Sequence, residues 1–354
     1  MIFSTPMSKA ITQRRSNSFD LLRLVAATTV IVCHEFMVLG RPVPYILNTV
    51  GVGFFAVMIF FCLSGGLITQ SWERDPQAAT FLVKRCLRIF PALGVTVVLT
   101  VFVLGPLFTT MGLREYFFDP TTWEYFRALI LWPHHSWLPG VFKSNPCPSV
   151  VNASLWTLSP EFALYLSVLG AGLAGILQGR HTVSLIMLTL GTLTAAASFQ
   201  HNTMVRDVSL LSFVFWSGAW LRINFQNGKP LEKIDLTLGL AALIIMGVAG
   251  HDLWAQTALV VLAGGLVWLA SKVPFGDQIT RRIGDLSYGV YIYAFPVQQS
   301  LIAAHGKETP SYGACLTASC AIIFALAFLS WHLVEKPFIR MKGRRIAAAK
   351  QVKT

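Results

Sequence analysis

Arg23 and His34 stand eleven residues apart inside one apolar run of bilayer length, FDLLRLVAATTVIVCHEFMVLG, residues 19–40. Ionisable side chains in such a segment are costly in hydrocarbon and usually face a protein interior or an aqueous cavity. On an ideal helix the step between them turns through about 1100° and rises about 16 Å, so both look out of one face, roughly half a membrane apart. Imidazole titrates near neutral pH, which suits His34 to take a proton from a substrate hydroxyl; a histidine hydrogen-bonded between helices is the alternative. Arg23 either faces the same cavity or snorkels to headgroup phosphates. Glu35, about 100° further round the helix, is a substrate-binding candidate on a neighbouring face.

Arg85 and Arg88 are spaced i, i+3, so on a helix their guanidinium groups share a face and suit a polyphosphate through charge-assisted, bidentate bonds. Basic residues at a cytoplasmic membrane boundary also arise from topology alone. The run Asn152 to Glu161, NASLWTLSPE, brings Ser154, Trp156 and Glu161 towards a helix start. Ser159, Pro160 and Glu161 read as cap, first position and first-turn acid, while Glu161 also suits a partner for His34 across the bundle. Ser64, Ser154 and the Trp156 indole are candidate donors to a developing oxyanion. Trp123, Trp132, Trp137 and Trp156 are either an interfacial aromatic belt or platforms for sugar rings. His134 and His135 are adjacent with no third ligand at usable spacing, so no metal is expected.

The elements that must position these residues are membrane helices. The 354 residues are 54% hydrophobic and 12% charged, with mean hydropathy +0.60, whereas soluble domains carry about 25% charged residues. Ten apolar stretches approach the ~20 residues needed to cross a bilayer: 19–40, 50–70, 91–111, 160–178, 182–199, 207–223, 235–250, 253–271, 284–303 and 313–334. The expected fold is therefore an all-α integral membrane bundle. With an even number of spans both termini share a side, and most of the 28 Lys and Arg fall in the segments on that side, which makes it cytoplasmic. The same bias accounts for the net charge of +12 without nucleic acid as a partner.

The first stretch carries Arg23 and no small-residue cleavage site, and so reads as a retained span rather than a signal peptide. Cys33, Cys62, Cys86, Cys315 and Cys320 fall in or beside spans as small apolar residues, and no disulfide framework emerges. The domain reading is a cytoplasmic tail at 1–18, a transmembrane domain at 19–334 and a basic cytoplasmic tail at 335–354. The outer segment 112–159 is too long and too aromatic for a passive linker, and is expected to fold over the outer mouth.

Taken together, these motifs resemble the acyltransferase-3 family: Arg23 with ten residues before His34; Phe60, Phe61, Ser64 and Gly65 closing the second span; Arg85-x-x-Arg88; Ser154-Leu-Trp-Thr-Leu-x-x-Glu161; and Leu286-Ser-Tyr288-Gly-Val-Tyr291 ahead of Glu335-Lys-Pro337. The resemblance runs from Phe19 to Pro337. It implies a membrane O-acyltransferase of glycans, with Arg23 and His34 essential, His34 the base, Arg85 and Arg88 at the mouth for acyl-coenzyme A, and Glu161 in the active-site wall. It adds Tyr288 to the substrate-binding candidates and Ser64 to those for the donor. The chain departs from it at Tyr293 to Pro296, where many relatives continue to a histidine, and at Met58 and Ile59, where many carry an acid.

The resulting expectation is transfer of an acyl group, most simply acetyl, from cytoplasmic acetyl-coenzyme A to a hydroxyl of an extracytoplasmic or lipid-linked glycan at the bacterial inner membrane. The rival is a polytopic transporter or flippase for a polysaccharide precursor, which would more often show matched broken helices in corresponding halves. Oligomeric state is left open.

Overall fold

The computed structural model describes residues 18–131, 136–199, 202–226, 231–248, 253–273, 275, 277–306 and 311–341. Trp132, His134, His135, the tail at 1–17 and the basic tail from 342 lie outside the described residues.

A helix occupies each of the ten apolar stretches. They are α1 (Phe19–Val38), α2 (Val52–Arg74), α3 (Ala78–Phe108), α4 (Leu158–Leu173), α5 (Arg180–Ser198), α6 (Thr203–Leu221), α7 (Lys233–Val248), α8 (Leu253–Lys272), α9 (Ser287–His305) and α10 (Tyr312–Met341). Among the described residues, seven helices are long and apolar enough to cross a membrane. The other three are α4 and α7, of 16 residues each, and α9. A two-residue hairpin, Tyr45–Ile46 with Val50–Gly51, joins α1 to α2.

The third helix departs from the sequence reading. Its expected start at Pro91 lies inside the helix, which begins at Ala78 and runs through a π-helical turn at Thr100–Leu104. Proline removes one hydrogen-bond donor and crowds the preceding turn, and burial of Ile89, Ala92 and Leu93 around it keeps the helix continuous. Arg85 and Arg88 therefore sit on a regular helix and share its face.

The bundle is pinned where α2 crosses α6. A Cβ added at Gly65 would lie 1.7 Å from the Phe215 carbonyl oxygen, and one at Gly218 would lie 1.9 Å from that of Cys62. Small residues let membrane helices approach to backbone contact, so Gly65 meets the packing requirement while Ser64 beside it is turned elsewhere.

The outer segment is folded rather than slack. It forms short helices at Leu113–Phe118 and Pro120–Glu124 and 3-10 turns at Tyr125–Ile130 and Ala153–Thr157. Tyr116 donates its hydroxyl to Val101 O at 3.0 Å on α3. The stitching to α9 is denser. Asn145 Nδ2 donates to Gln299 Oε1 at 2.8 Å, Gln299 Nε2 donates to Cys147 O and Val150 O at 2.7 Å each, and Asn152 Nδ2 donates to Ile292 O at 3.0 Å. Polar groups in an apolar interior must find partners, and here the helix and the loop supply one another's.

Candidate active site

Six helices converge on a cavity of about 260 Å³. Its wall includes Arg23 from α1, Ser64 from α2, Arg85 and Arg88 from α3, Glu161 from α4 and Tyr288 from α9. Apart from the Arg85 and Arg88 pair these residues are far apart in sequence; all but Tyr288, which the family resemblance added, were candidates on chemical grounds.

Glu161 is the polar centre of the wall. Ser64 Oγ donates to its Oε1 at 3.1 Å, and the Tyr165 hydroxyl donates to the same oxygen. The Tyr165 ring lies 5.9 Å from the Arg85 guanidinium carbon, so a single tyrosine connects the glutamate to the arginine. Two charges of opposite sign are thus held on one wall without touching.

The basic residues are not equivalent. Lys84 pairs with Asp75 at 2.8 Å. Arg23 Nη1 lies 3.2 Å from Asp20 and 3.6 Å from Asp285. Arg88 is gripped by two acids, with Nη1 donating to Glu335 at 2.9 Å and Nη2 to Asp285 at 2.7 Å. Arg85 donates only to Ser71 Oγ, at 3.2 Å, and its buried Nε has no partner among the described residues. Tyr288 donates its hydroxyl to Ile89 O at 2.9 Å and places its ring 5.5 Å from the Arg88 guanidinium carbon.

His34 does not line the cavity. It is half-buried, with its ring edge-on to Phe295 at 5.1 Å, and its Nδ1 has no hydrogen-bond partner among the described residues. Phe295 lies one turn beyond Tyr291, which does line the cavity. The Tyr291 hydroxyl stands 2.7 Å from Thr157 Oγ1, and the Phe60 ring is 5.9 Å from the Tyr291 ring. The cavity therefore ends about one helical turn short of His34.

Three other candidates are also outside the cavity wall. Glu35 is wholly buried and accepts from Gln298 Nε2 at 2.6 Å, so its carboxylate braces α1 against α9. Ser154 is 1% exposed, and its Oγ has no partner among the described residues. Trp156 packs half-buried against the main apolar core.

Sequence reasoning missed Asp285, Glu335, Tyr165 and Thr157. Thr157 and Glu335 stood inside quoted motifs, Ser154 to Glu161 and Glu335-Lys-Pro337, and Asp285 next to Leu286 to Tyr291, but no role was drawn for any of them. It also missed a hydrogen-bonded group away from the cavity, where His181 Nδ1 lies 3.0 Å from Asp235 and Nε2 lies 3.3 Å from Glu232. Their ligand-type atoms all fall within 4.8 Å of one another, and both imidazole nitrogens face carboxylates.

An acyltransferase domain matches residues 16–334. The chain is 31% identical over 345 residues to an O-acetyl transferase of Shigella phage Sf6, covering 94% of this chain and 99% of that one. It is 28% identical over 362 residues to nodulation protein 10 of Rhizobium leguminosarum bv. viciae, covering 94% and 95% respectively. It is 25% identical over 337 residues to the peptidoglycan O-acetyltransferase OatA of Listeria monocytogenes, spanning 82% of this chain and 52% of that longer one. No solved structure matches the chain.

Proposed function

The chain belongs to the acyltransferase family whose domain matches residues 16–334, and from that premise we propose that it carries an acetyl group from cytoplasmic acetyl-coenzyme A to a hydroxyl of a glycan outside the membrane. It is a multi-pass membrane O-acetyltransferase. In the proposed orientation ten helices span the bacterial inner membrane with both termini in the cytoplasm. A glycan acceptor is supported by the similarity to the peptidoglycan O-acetyltransferase of Listeria. The transporter reading is set aside, because the matched domain is an acyltransferase.

The observation that carries the proposal is the single cavity that gathers Arg23, Ser64, Arg85, Arg88 and Glu161 from four helices. A cationic mouth suits the phosphates of a nucleotide coenzyme, and an apolar upper part lined by Val57, Phe60 and Phe61 suits a short acyl chain. The thioester lies near Ser64, whose single hydroxyl proton, turned from Glu161, is donated to its carbonyl oxygen as charge develops there.

The acceptor hydroxyl reaches the thioester from the outer side and gives its proton to His34, whose Nδ1 is unused. The acceptor oxygen bonds to the carbonyl carbon as the carbon–sulfur bond breaks, and the coenzyme leaves as a thiolate that takes the proton from the imidazolium. A second route, with an acyl group briefly on His34, uses the same atoms in two displacements. In either case the thioester and His34 meet only if the turn of α9 from Tyr291 to Phe295, which stands between the cavity wall and the His34 ring, gives way.

The test is release of free thiol by purified protein in detergent with acetyl-coenzyme A and candidate glycans, followed by mass spectrometry of the glycan for an acetyl increment. Neither thiol nor acetylated glycan across a broad acceptor panel would sink the proposal.

A further inference from the structure

Arg85 and Arg88 share a face of α3, yet their surroundings differ in kind. Both terminal nitrogens of Arg88 are bonded to carboxylates, at 2.9 Å to Glu335 and 2.7 Å to Asp285. Those acids are themselves held. Ser330 Oγ donates to Glu335 at 3.2 Å, and Ser287 Oγ donates to Asp285 at 2.6 Å. The rings of Tyr288 and Trp331 lie 5.5 and 5.9 Å from the Arg88 guanidinium carbon. Arg85 by contrast has no carboxylate within ion-pairing distance among the described residues, and it keeps a buried Nε without a partner.

We propose that the pair divides its work: Asp285 and Glu335 are positioning residues that hold Arg88 as a strut, and Arg85 is the cation that binds a phosphate of the donor coenzyme. This inference rests on the coenzyme reading above. Drawing Arg88 away to a ligand would strand the wholly buried Glu335 and leave Asp285 only Arg23, at 3.6 Å, as a cation partner among the described residues, and breaking a buried pair from one side is strongly destabilising. Arg85 gains a bond from an incoming phosphate without breaking an ion pair, since an unsatisfied buried donor is itself unfavourable. The strut joins α3 to the start of α9 and to α10, across 197 and 247 residues of sequence. Arg23 is drawn in through Asp285 at 3.6 Å, so the charged group fastens four helices around the cavity mouth.

The experiment uses the full chain in detergent micelles, with coenzyme A binding by calorimetry, thermal unfolding without ligand, and acetyl-coenzyme A kinetics. Arg85→Gln is expected to raise the coenzyme A Kd and the KM by roughly tenfold or more, with kcat and the unfolding midpoint kept. Asp285→Asn and Glu335→Gln are expected to lower the midpoint and kcat while KM stays within about threefold, and Asp285→Glu restores part of both. The combined variant Arg88→Met, Asp285→Asn, Glu335→Gln removes the buried charges together. It is expected to be more stable than Arg88→Met alone and to bind coenzyme A within about threefold of wild type.

A folded combined variant that loses coenzyme A as completely as Arg85→Gln would overturn the division of labour. If that variant does not fold, Arg88→Lys, which keeps the charge but not the fork, decides by the same comparison. Failure of the wild-type protein to bind coenzyme A would overturn the donor reading and this inference with it; wild-type binding with equal loss at both arginines overturns this inference alone.

Discussion

Thr157 Oγ1 and the Tyr291 hydroxyl stand 2.7 Å apart on the cavity wall, and Tyr291 lies one helical turn before Phe295, whose ring meets His34. Both residues are buried, at 3% and 9% exposure, so neither hydroxyl has ready access to water if its partner is lost. Thr157→Val alone leaves the Tyr291 hydroxyl unpaired and is expected to destabilise by about 1–3 kcal/mol, while Tyr291→Phe alone leaves Thr157 Oγ1 its 3.3 Å bond to Ser154 O and is expected to cost less. The double variant is expected to lose less than the two combined. A double-mutant cycle on thermal unfolding in detergent measures the coupling; strict additivity would show that the two hydroxyls do not depend on one another.

His34→Gln is expected to insert and unfold like wild type while losing acetyl transfer by at least ~10²-fold, the usual contribution of a positioned base. The ring contact with Phe295 is peripheral to the main core, so stability should change little. Thiol release at saturating acetyl-coenzyme A and acceptor is the readout. Retained turnover in a correctly folded variant removes His34 from the chemistry.

Glu161→Gln keeps an oxygen that can accept from Ser64 and Tyr165 but removes the charge facing Arg85. We expect a folded protein with kcat reduced roughly tenfold or more, because Arg85 loses the charge that balances it across Tyr165 and with it the position that holds the donor for attack. Wild-type kcat in this variant would mean that Glu161 only braces Ser64 and Tyr165.

Gly65→Ala tests the crossing of α2 and α6. The added methyl meets backbone at 1.7 Å, not a side chain that can rotate away, so the helices must move apart. Overpacking of this kind costs typically 1–3 kcal/mol, read here as a lowered unfolding midpoint and reduced yield of monodisperse protein. Gly94→Ala, on α3 with nothing within 4 Å of the added atom, is the control and should be silent in the same assay.

Much of the bundle was legible because apolar length is a local property. Each of the ten stretches folded as a helix, and the chemistry of Arg23, Ser64, Arg85 and Glu161 was enough to nominate them before their meeting in one cavity was known. Pro91 misled because proline was read as a boundary, whereas burial on both sides carried α3 through it. Asp285 and Glu335 were hidden for a different reason: a carboxylate at the end of an apolar stretch looks the same in sequence whether it faces water or grips an arginine 197 or 247 residues away. Glu35 lay on the helix of the two leading candidates, but its bond to Gln298 is written in no local pattern. Seven of the helices meet the length and hydropathy expected of a span; α9 does not, because polar residues lower its average, although Tyr288, Tyr291, Gln298 and Gln299 are bonded internally.

Gln299 gives those internal bonds a consequence for dynamics. One side-chain amide accepts from Asn145 and donates to Cys147 O and Val150 O, so a surface segment that would normally open by itself is fastened to a buried helix at three points. Loops usually exchange their amide hydrogens and admit proteases independently of the core. Here residues 145–152 share the opening free energy of α9, and their protection in hydrogen exchange should rise and fall with that helix rather than with the rest of the outer surface.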